Sequence, residues 1–201
     1  MAARQPFRLI LGSSSPARRY LLSRDGYDFE VLPAAIDEPT DAGWPNPRRL
    51  VEHIAWLKAE AIAPRVSEGI ILTADTVAWL DGQVLGKPAD QADARRILRF
   101  LGGRDHELWT GVCLWRRPDD LQLSWQELSI VRFKALTDEE LDAYLKTRKW
   151  ENNAGAYAIE EQSDPYITLV RGSLSNVIGL PMESLEPRLR WFADLAPQRL
   201  A

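Results

Sequence analysis

Phe7-Arg8-Leu9-Ile10-Leu11-Gly12-Ser13-Ser14-Ser15-Pro16-Ala17-Arg18-Arg19 opens the chain with a change of pattern. Residues 7–11 are an apolar run of strand length, and Gly12 with the serines after it are loop formers. Pro16 stands at a first helical position, where a missing N–H costs nothing. The segment predicts a strand, a loop and a helix that runs through about Ser23. Downstream, residues 28–32 alternate as a strand, and Asn46-Pro47 opens a helix with an apolar stripe of Leu50, Ile54, Leu57 and Ala61, Lys58 lying just off it. Residues 70–74 are β-rich, Asp75 stands at a junction, and residues 77–85 fold as a hairpin around Asp81-Gly82.

Ala94, Ile97, Leu98 and Leu101 mark an amphipathic helix closed by Gly102-Gly103, and residues 107–115 and 121–133 read as long strands joined by a turn. Thr137 and Glu140 form a capping box for a helix through Tyr144. Residues 156–159 and 166–170 read as further strands, and the last helix carries Leu185, Leu189, Trp191 and Phe192. Helices alternating with strands, some of them hairpins, give an α/β fold with a mixed central sheet and flanking helices. No repeat, low-complexity tract or linker divides residues 1–201, so a single domain is expected, in one or two lobes around a cleft.

The 201 residues are 45% hydrophobic and 27% charged, a mixture that buries a core and is neither disordered nor fibrous. A net charge of −4 gives no general grip on nucleic acid or an anionic membrane, so any phosphate must be held locally. Eight tryptophans and several Arg-Arg pairs raise the idea of a nucleic-acid module, which the acidic balance and scattered placement disfavour. One cysteine, Cys113, excludes an intrachain disulfide framework, and two histidines, His53 and His106, do not furnish a thiolate–imidazole zinc site. Residues 9–11 are too short for a secretory core and residues 70–80 too short to span a bilayer, so a soluble, cytoplasmic protein is expected.

The loop of Ser13, Ser14 and Ser15 before a helix that carries Arg18 and Arg19 joins hydroxyl donors, free backbone N–H groups and guanidinium charge, which is a recipe for phosphate. Residues 82–88, Gly-Gln-Val-Leu-Gly-Lys-Pro, are not a Walker A loop, because the glycine spacing is one residue short and Pro88 replaces the required hydroxyl. Lys87 still offers a point charge. Asp75 interrupts an apolar strand, where an unpaired buried charge costs several kcal/mol, so it requires a cation, donors or solvent. Asp37-Glu38 is a second carboxylate pair, suited to a hard metal. His106 reads as a strand-entry residue and Cys113 as core.

Taken in order, these motifs resemble the Maf family of nucleoside triphosphate pyrophosphatases over nearly the whole chain. Leu9 to Arg19 is similar to its N-terminal signature. Ile36-Asp37-Glu38, Lys58-Ala59, Ala74-Asp75-Thr76-Val77, Asp81-Gly82, Gly86-Lys87-Pro88, Trp109-Thr110-Gly111-Val112, Ala154-Gly155-Ala156-Tyr157 and Ser175-Asn176-Val177-Ile178-Gly179-Leu180-Pro181 follow. The resemblance implies a fold like that of inosine triphosphate pyrophosphatases. It also implies house-cleaning hydrolysis of a nucleoside triphosphate between its α and β phosphates, with a divalent cation, Mg²⁺ or Mn²⁺. It assigns catalysis to Asp75, Lys87 and Lys58, substrate binding to Ser13, Arg18, Arg19 and Glu160, and the metal to Glu38 and Asp75. A nucleoside triphosphate is the expected partner, with homodimerisation left open and neither nucleic acid nor membrane expected.

The chain departs from the pattern of the dTTP- and UTP-acting group. Ser15-Pro16-Ala17-Arg18 replaces Ser-Pro-Arg-Arg, Asn153 replaces a lysine, and Glu160 replaces a glutamine. A Ser-Pro-x-Arg-Arg pattern with Glu at that later place is similar to the branch acting on 7-methyl-GTP, whose guanine offers donors to a carboxylate. The alternative function is a non-catalytic nucleotide-binding regulator of cell division or septum formation. Glu38, Asp75, Lys58 and Lys87 together favour catalysis, because a binder has no need of a metal-activating pair.

Overall fold

The computed structural model describes residues 5–37, 44, 46–159 and 164–195. Its strands are β1 (Leu9–Leu11), β2 (Glu30–Val31), β3 (Gly69–Leu80), β4 (Gln83–Leu85), β5 (Asp105–Arg117), β6 (Leu121–Phe133) and β7 (Ile167–Arg171). The α-helices are α1 (Pro16–Arg24), α2 (Pro47–Ile62), α3 (Gln91–Leu101), α4 (Asp138–Lys146), α5 (Leu174–Ile178) and α6 (Met182–Asp194). The sheet runs β2-β1-β3-β5-β6-β7, with β4 also paired to β3. Its β1 contacts are parallel and the others antiparallel, so the sheet is mixed, as expected.

Local chemistry sets most helix starts. Ser15, Asn46, Asp90, Thr137 and Ser173 cap five of these helices by accepting from a backbone N–H in the first turn, and proline follows the cap in α1 and α2. Thr137 and Glu140 complete the capping box.

Alternation along β3 sorts the core. Ile71 and Val77 point to the α2 side, where Ile71 joins Ile10, Ala55, Ala59 and Ile62, and Val77 joins Leu50, Val51 and Ile54. On the opposite face, Ile70, Leu72 and Ala74 pack with Leu21 and Leu22 of α1 and Leu185 and Leu189 of α6. Ala78 and Leu80 pack with Ile97 and Leu98 of α3 and Tyr144 of α4. These two clusters part at Thr76, which leaves a polar seam between them.

Several expectations are corrected. Strand β3 runs unbroken through Asp75, so that residue lies inside the strand rather than at a junction. The buried face of α2 is Leu50, Val51, Ile54, Ala55, Lys58, Ala59 and Ile62, with Ala61 exposed, so Lys58 lies on the core face and not beside it. Close packing causes this rotation: a Cβ on Gly111 would overlap the backbone of Val51, so α2 lies directly on β5 there. Residues 156–159 form no strand. A 3₁₀ turn, Ala154–Ala156, takes their place, with positive φ at Gly155 and Ala156, while Ala156, Tyr157 and Ile159 still enter the core. The short helix α5 was not expected, and Trp191, placed in the apolar stripe of α6, is 56% exposed.

Candidate active site

Strands β1 and β4 share one edge of β3, since β5 occupies the other edge along nearly its whole length. The β1 ladder ends with Leu11 opposite Leu72, and the antiparallel β4 ends with Leu85 opposite Ala78. Residues 73–77 therefore have no strand partner on that edge among the described residues. The serine loop leaves β1 at one side of this opening, and Gly86-Lys87-Pro88 leaves β4 at the other. The edge of a central strand thus lacks a ladder partner where two connections diverge, the position at which α/β sheets bind ligands.

Asp75 sits in the middle of the opening. Its Oδ1 accepts from Lys58 Nζ at 2.7 Å, and both side chains are 10% exposed. Thr73, on the same face, donates its hydroxyl to the Ala55 carbonyl at 2.6 Å and ties α2 to β3 beside the pair. Taking both charges out of water is costly, and the close contact offsets part of that cost. This is a costly arrangement for stability alone, and buried charged groups of this kind cluster at functional sites.

Arg18 enters the seam on the other face of β3. Its Nε donates to the Gly179 carbonyl at 2.8 Å, Nη1 to Ser13 Oγ at 3.2 Å and Nη2 to Thr76 Oγ1 at 3.2 Å. Gly179 ends α5 at φ 121°, a backbone state that side-chain-bearing residues avoid, and this turn presents the carbonyl to the guanidinium. Ser13 Oγ also accepts from Ser15 N at 3.2 Å. With two donors on its oxygen, the Ser13 hydroxyl has its proton left to give to an anion. The structure thus gathers Ser13 and Arg18 at the start of α1, where free N–H groups and the helix dipole also favour negative charge.

The remaining predicted residues are placed less tightly. Lys87 is exposed and makes no hydrogen bond or ion pair among the described residues, but it lies two residues beyond Leu85 on the rim of the opening. Arg19 faces outward and donates to the Ser14 carbonyl at 3.0 Å. Glu38 and Glu160 lie outside the described residues. Asn153 is turned into its own loop, its amide donating to the carbonyls of Lys149 and Glu151 at 2.9 and 3.0 Å.

Among the described residues no three His, Cys, Asp or Glu side chains cluster as a metal site. The donor chemistry nonetheless suits a hard cation. Mg²⁺ needs only one or two protein carboxylates when phosphate oxygens and waters complete its shell, and Asp75 supplies one with Oδ2 opposite the Lys58 contact. His106 is buried with Nε2 2.6 Å from the Tyr157 hydroxyl, and Cys113 is buried with burial raising its thiol to about 11, so neither acts as a nucleophile.

Thr76, Thr110 and Asn176 stand in the sequence motifs, which assign them no role of their own. Thr110 Oγ1 lies 2.9 Å from Thr76 Oγ1 and 3.3 Å from the Asn176 carbonyl, and Thr110 and Asn176 are fully buried. The available signal was the placement of hydroxyls inside otherwise apolar strands, which demands partners.

The chain is similar to known proteins in both sequence and fold. A dTTP/UTP pyrophosphatase of Anaeromyxobacter dehalogenans is 44% identical over 91% of this chain and 93% of its own length. Those of Rhodopirellula baltica and Ruminiclostridium cellulolyticum are 38% and 36% identical, over 95% and 88% of this chain and 85% and 92% of theirs. In fold, the chain is similar to the Ham1 protein of Staphylococcus aureus, at TM-score 0.54 and 12% identity over 92% of this chain and 99% of that one. A HAM1 protein from Coxiella burnetii gives TM-score 0.53 and 13% identity over 94% and 100%. The profile of the Maf-like proteins matches residues 8–192, and the chain belongs to that family.

Proposed function

We propose that this chain releases pyrophosphate from a nucleoside triphosphate, acting on dTTP or UTP, with a divalent cation. The observation that carries the reading is the buried Lys58–Asp75 pair at the unpaired edge of β3, beside the Ser13–Arg18 start of α1. The names of relatives at 34–44% identity support the pyrimidine substrates. On this reading Ser13 and Arg18 hold phosphate oxygens, Arg19 and Lys87 add charge at the rim, and Lys58 orients Asp75 through Oδ1. Asp75 Oδ2 then accepts a proton from the attacking water or holds the cation together with Glu38. The cation, when bound, neutralises phosphate charge and makes its bound water more acidic.

A second substrate, 7-methyl-GTP, is favoured by Glu160 and by Ala17 within Ser-Pro-x-Arg-Arg. A non-catalytic regulator of division is not favoured, because binding alone gives no reason to bury Asp75 against Lys58. The test is product analysis over dTTP, UTP, GTP and 7-methyl-GTP, with and without Mg²⁺ or Mn²⁺. Pyrophosphate and a monophosphate are the expected products. Orthophosphate as the first product, or full activity after exhaustive chelation, overturns the reading.

A further inference from the structure

The seam at Thr76 contains a chain of hydroxyls whose hydrogen bonds have one consistent direction. Thr76 and Thr110 face each other across the β3–β5 ladder. Thr110 Oγ1 donates to the Asn176 carbonyl at 3.3 Å, and Arg18 Nη2 donates to Thr76 Oγ1 at 3.2 Å. A threonine hydroxyl carries a single proton. Thr110 gives its proton to Asn176, so the 2.9 Å contact between the threonines is donated by Thr76. The Thr76 lone pairs are thereby turned toward the guanidinium, and the order runs Arg18, Thr76, Thr110, Asn176.

The far end of this chain is fixed. Asn176 Nδ2 donates to Ser129 Oγ on β6 at 2.9 Å, and Ser129 Oγ in turn donates to the Ser173 carbonyl at 3.2 Å and accepts from Ser173 N at 3.2 Å. Thr110 and Ser129 are 0% exposed and Asn176 is 1% exposed. The same segment supplies the Gly179 carbonyl that receives Arg18 Nε. Two edges of the guanidinium are therefore set by residues 173–179, one directly and one through two threonines.

We infer that Thr110 is a positioning residue for Arg18. It stands one hydroxyl away from the guanidinium, and it sets the plane that Arg18 presents by holding Thr76 as an acceptor. Without the Thr110 oxygen, the Thr76 proton loses its acceptor, so nothing fixes the orientation of the Thr76 hydroxyl and Arg18 loses an acceptor held in one place. The inference rests on the proposed role of Arg18 in phosphate binding.

The experiment is steady-state kinetics on UTP for Thr110→Val and Thr110→Ser, each in the parent chain and in an Arg18→Ala background, with melting temperatures recorded. In the parent, Thr110→Val is expected to raise KM about tenfold with a smaller change in kcat, and Thr110→Ser to restore it to within about twofold. In the Arg18→Ala background Thr110→Val should change KM no further, since two steps on one path do not add. An equal KM increase in both backgrounds, or a serine variant as impaired as the valine one at equal stability, overturns the inference alone. If Arg18→Ala itself leaves KM unchanged, the phosphate role of Arg18 falls and the inference falls with it. Should the valine variant not fold, Thr110→Ala carries the same comparison.

Discussion

Lys58 Nζ stands 2.7 Å from Asp75 Oδ1, and the pair joins the core face of α2 to the middle of β3 at the point where the sheet edge is open. Two features with no direct sequence link produce it. Gly111, opposite Asp75 on β5, lets Val51 lie against the sheet, and Lys58 follows on the same helical face two turns later. On the proposed reading, this edge of β3, which has no strand partner among the described residues, is where a ligand meets the pair.

Asp75→Asn is expected to lower kcat by at least about 10²-fold, the lower end for loss of a positioned acid–base group, while the protein stays folded. The amide oxygen still accepts from Lys58, so packing survives, but an amide neither takes a proton nor holds a cation as a carboxylate does. Circular dichroism and pyrophosphate release together check it. A kcat near that of the parent would make Asp75 a structural partner of Lys58 only.

Lys87→Ala should leave the melting temperature within about 2 °C of the parent, as expected for an exposed side chain outside any described ion pair. Its effect should fall on KM for the triphosphate, by about tenfold or more, the loss of one charge-assisted contact. A large drop in melting temperature with unchanged KM would assign Lys87 to the fold instead.

Many chain-local signals carry through to the structure. The helix starts at Pro16 and Asn46-Pro47, the Thr137–Glu140 capping box, the α3 stripe and the long β5–β6 hairpin all follow from spacing within one element or two consecutive ones. Whatever depends on contact between elements was not legible. The face of α2 is chosen by the absent Cβ of Gly111, sixty residues from Val51 by sequence number (111 against 51), and periodicity alone put Leu57 and Ala61 where Ala55 and Lys58 belong. Residues 156–159 have the apolar content of a strand, yet positive φ at Gly155 and Ala156 sends them into the core without a ladder. At the site, Asp75 was found because a charge inside an apolar run requires a partner. Thr76 and Thr110 stand in the motifs without a role, because hydroxyls are ordinary strand residues until their register is known.

Stability should fall as the solution is acidified from about pH 6.5 toward pH 4, in part through His106. That ring is 2% exposed against Tyr157, and burial lowers its pKa from 6.5 to about 4. Over this window the unfolded chain takes up a proton that the native state refuses. The stabilisation is therefore complete above the unfolded pKa and is lost as pH falls toward the folded one, on the order of 3 kcal/mol in all. Denaturant unfolding at pH 7 and pH 4.5 measures the loss, and His106→Gln should reduce it. An identical pH dependence in that variant would assign the loss to carboxylates.

Glu160→Gln tests the base preference by donor and acceptor logic, although Glu160 lies outside the described residues. A uracil or thymine edge presents an N–H between two carbonyl oxygens, whereas a guanine edge presents an N–H and an amino group side by side. An ionised carboxylate accepts from both guanine donors but repels a pyrimidine carbonyl, and a glutamine amide both accepts from the N–H and donates to the carbonyl. A mismatched polar contact in a closed site costs about 1–3 kcal/mol. The ratio of kcat/KM for UTP or dTTP over GTP or 7-methyl-GTP should therefore rise roughly 10- to 100-fold in Glu160→Gln. Asn153 does not offset this through its amide protons, because both are engaged by the carbonyls of Lys149 and Glu151. Competition between paired substrates in the parent and the variant measures the ratio directly. An unchanged ranking would mean that Glu160 does not face the base, and that selectivity arises from backbone or from other side chains along the opening in β3.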